Sequence, residues 1–134
     1  MIIDASVAFK LVVEEPDSGE ALAWIGRGEL VAPTLVHAEV GNALWKRIRK
    51  GELTADDEIG ERLSNLGRYL RTVDETDALP RALELAVALK HPVNDCVYLA
   101  LAEAMEDELL TADRRFVQTV EGTPLQTYVR ELGR

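Results

Sequence analysis

The sequence carries one cysteine, Cys96, in 134 residues. A lone thiol has no internal partner, which excludes a disulfide framework and agrees with a reducing compartment. It lies within the apolar stretch "CVYLALA", with no base spaced to activate it, and reads as a small buried hydrophobe. Long hydrophobic runs are also missing. Stretches such as "MII" and "VYLALA" fall far short of the roughly 18 apolar residues a membrane span requires, and no basic segment precedes an apolar one in the manner of a signal peptide. A cytoplasmic protein is the expectation. Low-complexity tracts and internal repeats are absent, which excludes a solenoid or a disordered chain. Positive charge is scarce as well: 15 Lys and Arg stand against 24 Asp and Glu, a net charge of −9. That balance argues against a general nucleic-acid-binding surface. It leaves room for a local acidic cluster filled by divalent cations, whose own charge reverses the field around them.

What is present is an ordinary globular composition, 47% hydrophobic and 29% charged, in a length that suits one domain over residues 1–134. Apolar runs, turn residues and helical periodicity alternate. "MII" reads as a short buried central strand, Ala5 to Val13 as a helix broken by Pro16, and a second helix runs from Asp17 or Ser18 through Ile25. Leu30 to Ala32 reads as a strand, with Pro33 and Thr34 opening a helix that Gly51 ends near Lys50. Thr54 and Asp57 resemble a capping box for the next helix, and Thr72 and Val73 a weak third strand. Leu79, Leu83, Ala86, Val87 and Leu89 recur at helical spacing, and Asn94 or Asp95 opens a further helix. "ELL" at 108–110 reads as a fourth strand before a short helix with Phe116, and Leu125 to Tyr128 as a last extended piece. Strands alternating with helices imply an open, mainly parallel α/β sheet of four to five strands with helices on both faces. Ligands in such sheets bind beyond the carboxyl ends of the strands.

Four acids fall at or near those positions: Asp4, Glu39, Asp95 and Asp113. Brought together they would repel one another unless neutralised, and oxygen-rich clusters of this kind suit Mg²⁺ or Mn²⁺. Each also has a plain structural reading. Asp4, Asp95 and Asp113 can each cap the helix that follows, and Glu39 can sit on a solvent-facing stripe. On a helix, Lys46 and Lys50 lie within about 20° of Glu39 and Asn42 about 60° to one side. The segment "WKRIRK" is thus the densest basic patch of an acidic chain, fit for a phosphate or for an ordinary solvated helix end. Arg114 and Arg115 stand at a helix start, where the dipole disfavours cations. Ser6 and Thr111, each two residues from an Asp, can hydrogen-bond a carboxylate or simply cap a turn.

Taken in order, "MIIDASVAFKLVVEE", "EVGNALWK", "NDCVYLALAE" and "LLTADRRF" resemble the signature segments of PIN-domain ribonucleases, most closely the VapC toxins of bacterial and archaeal type II toxin–antitoxin systems. The resemblance covers essentially the whole chain. It implies a PIN-like fold and a metal-dependent endoribonuclease in which Asp4, Glu39, Asp95 and Asp113 hold one or two Mg²⁺ or Mn²⁺ ions. It implies hydrolysis that leaves a 5′-phosphate and a 3′-hydroxyl, a homodimer, and inhibition by a VapB-like antitoxin. Ser6, Thr111 and Asn42 would then support the acids, and Lys46, Lys50, Arg114 and Arg115 would meet RNA. One departure is Asn94, where relatives often carry an aromatic residue beside the third acid. A PIN-like nuclease acting on DNA or in RNA processing, and an α/β receiver-like binding module, are the alternative readings. The receiver is disfavoured because Asp4 stands alone after its strand and "LLTAD" ends in an acid where a receiver carries a lysine.

Overall fold

A computed structural model describes residues 1–134. The chain runs β1 (Ile2–Ile3), α1 (Ala5–Val12), α2 (Ser18–Ile25), β2 (Val31–Pro33), α3 (Val36–Arg49), α4 (Asp57–Ser64) and β3 (Arg71–Val73). It continues through α5 (Leu79–Leu89), α6 (Val93–Ala104), β4 (Leu109–Thr111), α7 (Arg114–Val120) and β5 (Val129–Glu131). The five strands form one sheet in the order β3-β2-β1-β4-β5, every pairing parallel. The expected α/β architecture is therefore the observed one, and "MII" does form its central strand.

Strands of two or three residues supply little ladder energy, so burial must hold the sheet together. Ile2 and Ile3 are fully buried, as are Leu109 and Leu110 beside them. Helix α6 is buried without interruption from Cys96 to Ala102, because it packs on β1, β2 and β4 on one side and on α5 on the other. This leaves it no solvent face to keep polar. Cys96 is thus a core residue, its thiol pushed up to about 11 by that burial.

The sheet order locates the site. The chain moves outward from β1 to β2 to β3, then returns across the sheet to β4 beside β1 and ends at β5. Crossovers therefore leave β1 and β4 in opposite directions, which opens a cleft beyond their carboxyl ends. Asp4 follows β1 directly, and Ala112 and Asp113 follow β4.

Several expected boundaries shift. Pro33 ends β2 instead of opening a helix, and α3 begins at Val36. Val31 donates to the Met1 carbonyl and backbone donors alternate along a strand, so the donor Pro33 lacks would face β1, which pairs with β2 only at Ile2 and Val31. Asp56, not Thr54, caps α4, its Oδ1 accepting from the Ile59 N–H at 3.1 Å. The fourth strand sits one residue later than "ELL", at Leu109–Thr111. Residues Pro124–Tyr128 form a 3₁₀ turn, with Thr123 accepting from the Leu125 N–H and Pro124 in the first turn, so the last strand starts at Val129. Gly51 ends α3 as expected, its φ of +76° matching a left-handed residue just beyond the helix.

Candidate active site

Asp4 is the N-cap of α1 and something more. Its Oδ1 accepts from the Val7 N–H at 3.2 Å and from the Ser6 hydroxyl at 2.5 Å, and its Oδ2 accepts from the Thr111 hydroxyl. Ser6 Oγ in turn accepts from the Ala112 N–H at 2.9 Å, and Thr111 Oγ1 from the Asp113 N–H at 3.1 Å. Two hydroxyls thereby lash the start of α1 to the end of β4 with the carboxylate between them. Thr111 is fully buried. Burial pushes the Asp4 carboxyl up to about 6, against the opposing pull of the Ser6, Thr111 and Val7 donors, and the nearby Asp95 charge adds to the rise.

Glu39 is partly buried in the first turn of α3. Its Oε1 accepts from the Tyr98 hydroxyl at 2.5 Å, from a ring that is 1% exposed within α6. Burial raises its carboxyl, the Tyr98 bond opposes the rise, and the charges of Asp95 and Asp4 reinforce it. Tyr98 is held far above its ordinary phenol value, first by burial and then by its bond to Glu39.

Asp95 does not open α6, contrary to the expected cap. The helix starts at Val93 behind Pro92, which places Asp95 inside the first turn. Its Oδ2 meets His91 Nε2 at 2.6 Å. Asp113 does cap α7, Oδ1 accepting from the Arg115 and Phe116 N–H groups at 3.0 and 3.2 Å. Asp4, Glu39 and Asp95 are therefore close enough for their charges to act on one another, whereas Asp113 is turned toward its helix. In this arrangement no three His, Cys, Asp or Glu side chains close around a point, each carboxylate being engaged by a donor of the protein.

The donor set nonetheless fits a hard divalent cation. No lysine or arginine forms an ion pair with any of the four acids, and the charge of Asp95 raises both Asp4 and Glu39. Anionic oxygens that repel one another without a cationic side chain are the ligands Mg²⁺ and Mn²⁺ accept.

A cavity of about 480 Å³ opens beside these acids, lined among others by Glu39, Asn42, Lys46 and Asn94. Three members of the stripe drawn from helical geometry, Glu39, Asn42 and Lys46, thus share a cavity wall, and Lys50 lies outside it. A second cavity of about 310 Å³ adjoins it through Ala5 and Ala43, with Ser6, Lys10 and Arg47 on its wall. A larger one of about 510 Å³ lies between the α1–α2 corner and α4 and holds none of the four acids. The basic patch is less free than its sequence implies. Arg47 is paired with Glu15 at 2.7 Å and Glu52 at 3.3 Å, Arg49 stacks on Trp45, and Arg114 is paired with Glu131 at 3.1 Å. Lys46, Lys50 and Arg115 form no ion pair and are exposed.

Two further residues belong to this site: Tyr98, which the sequence hides inside the apolar run "VYLALA", and His91, which stands just before Pro92. The four-residue interval from His91 to Asp95, one helical turn, was the available signal for the second.

A PIN domain family model matches residues 1–122. The chain belongs to the PIN-domain family. This PIN protein is 34% identical over 123 residues to Ribonuclease VapC3 of Pyrobaculum aerophilum, an alignment covering 88% of this chain and 92% of that protein. Its fold also matches the crystal structure of PAE2754 from Pyrobaculum aerophilum, with a TM-score of 0.71 at 24% identity, covering 98% of this chain and 82% of the other.

Proposed function

We propose that this PIN domain, spanning the whole chain, is a metal-dependent endoribonuclease and the toxin of a type II toxin–antitoxin module in the cytoplasm. The observation that carries the reading is the group of Asp4, Glu39 and Asp95, mutually repelling, held by uncharged or backbone donors and a histidine, with Glu39 on the wall of a cavity. The 34% identity to a VapC ribonuclease supports it.

Asp4, Glu39 and Asp95, joined by Asp113, would hold Mg²⁺ or Mn²⁺. Bound there, the ion supplies an activated water and offsets the charge that builds on the phosphoryl oxygens. The chain's own residues do the rest. Ser6 and Thr111 fix the Asp4 carboxylate against two elements at once, so its oxygens keep one direction. Tyr98 does the same for Glu39. Lys46, on the cavity wall and free of an ion pair, offers a cation to a phosphate, and Asn42 beside it offers an amide. We assign the same role to the exposed Lys50 and Arg115 and to Arg114, the last of which is paired with Glu131.

An acidic mouth also attracts a basic segment, so a VapB-like antitoxin with a cationic tail is the inhibitor this charge suits. A second copy of the chain is a further partner. Leu79, Leu83 and Val87 stand 41%, 57% and 73% exposed at four-residue intervals along α5, forming an apolar stripe with nothing over it. Two such helices crossing antiparallel about Leu83 set Leu79 of each against Val87 of the other.

The reading is tested by digesting RNA, single-stranded DNA and flap DNA side by side with Mg²⁺ or Mn²⁺. RNA alone should be cut, and only without chelator. Preferred cutting of flap DNA would instead favour a DNA-directed PIN nuclease.

A further inference from the structure

Each of the first three acids has side-chain donors of its own. Ser6 and Thr111 serve Asp4, Tyr98 serves Glu39, and His91 serves Asp95. We propose that His91 is the positioning residue for Asp95, holding its carboxylate in the direction that metal binding requires. The proposal rests on the metal-site reading above.

Asp95 needs such a holder. Its side chain is 41% exposed and bonds nothing but His91, so two rotatable bonds would otherwise leave the carboxylate free to swing into solvent. His91 is itself fixed from three directions. Lys90 takes the left-handed conformation that ends α5, with φ 54° and ψ 48°, and the His91 N–H donates to the Ala86 carbonyl at 3.1 Å. These set the backbone. The ring, only 10% exposed, lies tilted against Phe116 with centroids 5.0 Å apart. Phe116 is 1% exposed on α7, the helix capped by Asp113. His91 therefore ties the third acid to the helix of the fourth. A carboxylate oxygen accepts, so in this contact the donor is the Nε2–H of His91.

A purely structural histidine would matter through its ring, and a positioning one through its Nε2–H. Two substitutions separate these roles. His91→Phe keeps an aromatic ring against Phe116 and removes the donor; His91→Gln supplies an N–H near the same place and removes the ring. Mn²⁺ affinity is measured by calorimetry on the full chain, beside the thermal midpoint. The phenylalanine variant should lose no more of the midpoint than the glutamine variant and bind Mn²⁺ about tenfold or more weakly, the usual effect of losing a carboxylate's supporting partner. The glutamine variant should bind as the unsubstituted protein does. In an Asp95→Asn background, His91→Phe should change nothing further. Unaltered Mn²⁺ binding by His91→Phe, or equal losses in both variants, would overturn the positioning role. Failure of the unsubstituted protein to bind Mn²⁺ at all would overturn the metal-site reading beneath it, and the two failures are distinguished by that control.

Discussion

Tyr98 and Glu39, 59 residues apart in sequence, meet at 2.5 Å, a buried phenol donating to a half-buried carboxylate. The contact couples the packed interior of α6 to the one acid that lies on α3. Because the bond favours the ionised Glu39, its loss should raise that carboxyl further. Tyr98→Phe should therefore destabilise the protein at neutral pH by about 1–3 kcal/mol, the usual cost of deleting a hydrogen bond to a charged group. Denaturant unfolding of both forms measures this, and cleavage should slow in parallel.

Asp4 gives a pH dependence of definite sign. Its carboxyl stands at about 6 in the fold against an ordinary value of 3.8, so the folded state binds its proton more tightly than the unfolded chain. The metal-free protein then loses stability as pH rises from about 4 to about 6 through this group, and the loss is complete above that window. Asp4→Asn removes the charge and should stabilise the metal-free protein at pH 7 by about 3 kcal/mol, with little effect near pH 4. Thermal unfolding in chelator at both pH values checks it. A destabilised variant at pH 7 would contradict the assignment.

Ser6 works in both directions, donating to Asp4 and accepting from the Ala112 N–H. Ser6→Ala removes a support of Asp4 and leaves that N–H without its partner. The expected cost is about 1–3 kcal/mol of stability in addition to slower cleavage. A Ser6→Ala protein with unchanged stability would mean that Ser6 is an ordinary turn residue.

Leu83, more than half exposed at the centre of the α5 stripe, should tolerate a charge in the monomer. Leu83→Glu should leave monomer stability within about 0.5 kcal/mol and convert a dimer to monomers in light scattering. A dimer that persists would place the interface elsewhere.

The fold and the acids were legible because their signals are local. A short apolar run followed by an Asp marks β1 and β4, helical spacing marks α3 and α5, and a glycine marks the end of α3. What escaped depends on contacts distant in sequence. Pro33 looks like a helix start until β3 pairs with it through Val73, and nothing near "VYLALA" reveals that Tyr98 will find Glu39. The cap reading of Asp4 was correct and incomplete, since the same carboxylate is also gripped from β4. For Asp95 the cap reading failed, because α6 begins two residues earlier and frees its side chain for His91. Lys46 of the basic stripe lines the cavity beside Glu39, but ion pairs to Glu15, Glu52 and Glu131 take Arg47 and Arg114 out of the free charge that composition counted.

On the function proposed above, the cluster of Asp4, Glu39 and Asp95 is a catalytic metal site for RNA. It is tested most directly by the rate of RNA cleavage at saturating Mg²⁺ or Mn²⁺, measured for the unsubstituted chain and for Glu39→Gln, a variant that keeps the shape of the side chain and can still accept from Tyr98. Cleavage should vanish in chelator, return when metal is restored, and fall by at least about a hundredfold in Glu39→Gln, a loss of transition-state stabilisation of about 2.7 kcal/mol. Cleavage that survives both chelation and the substitution would mean that these acids hold no catalytic metal.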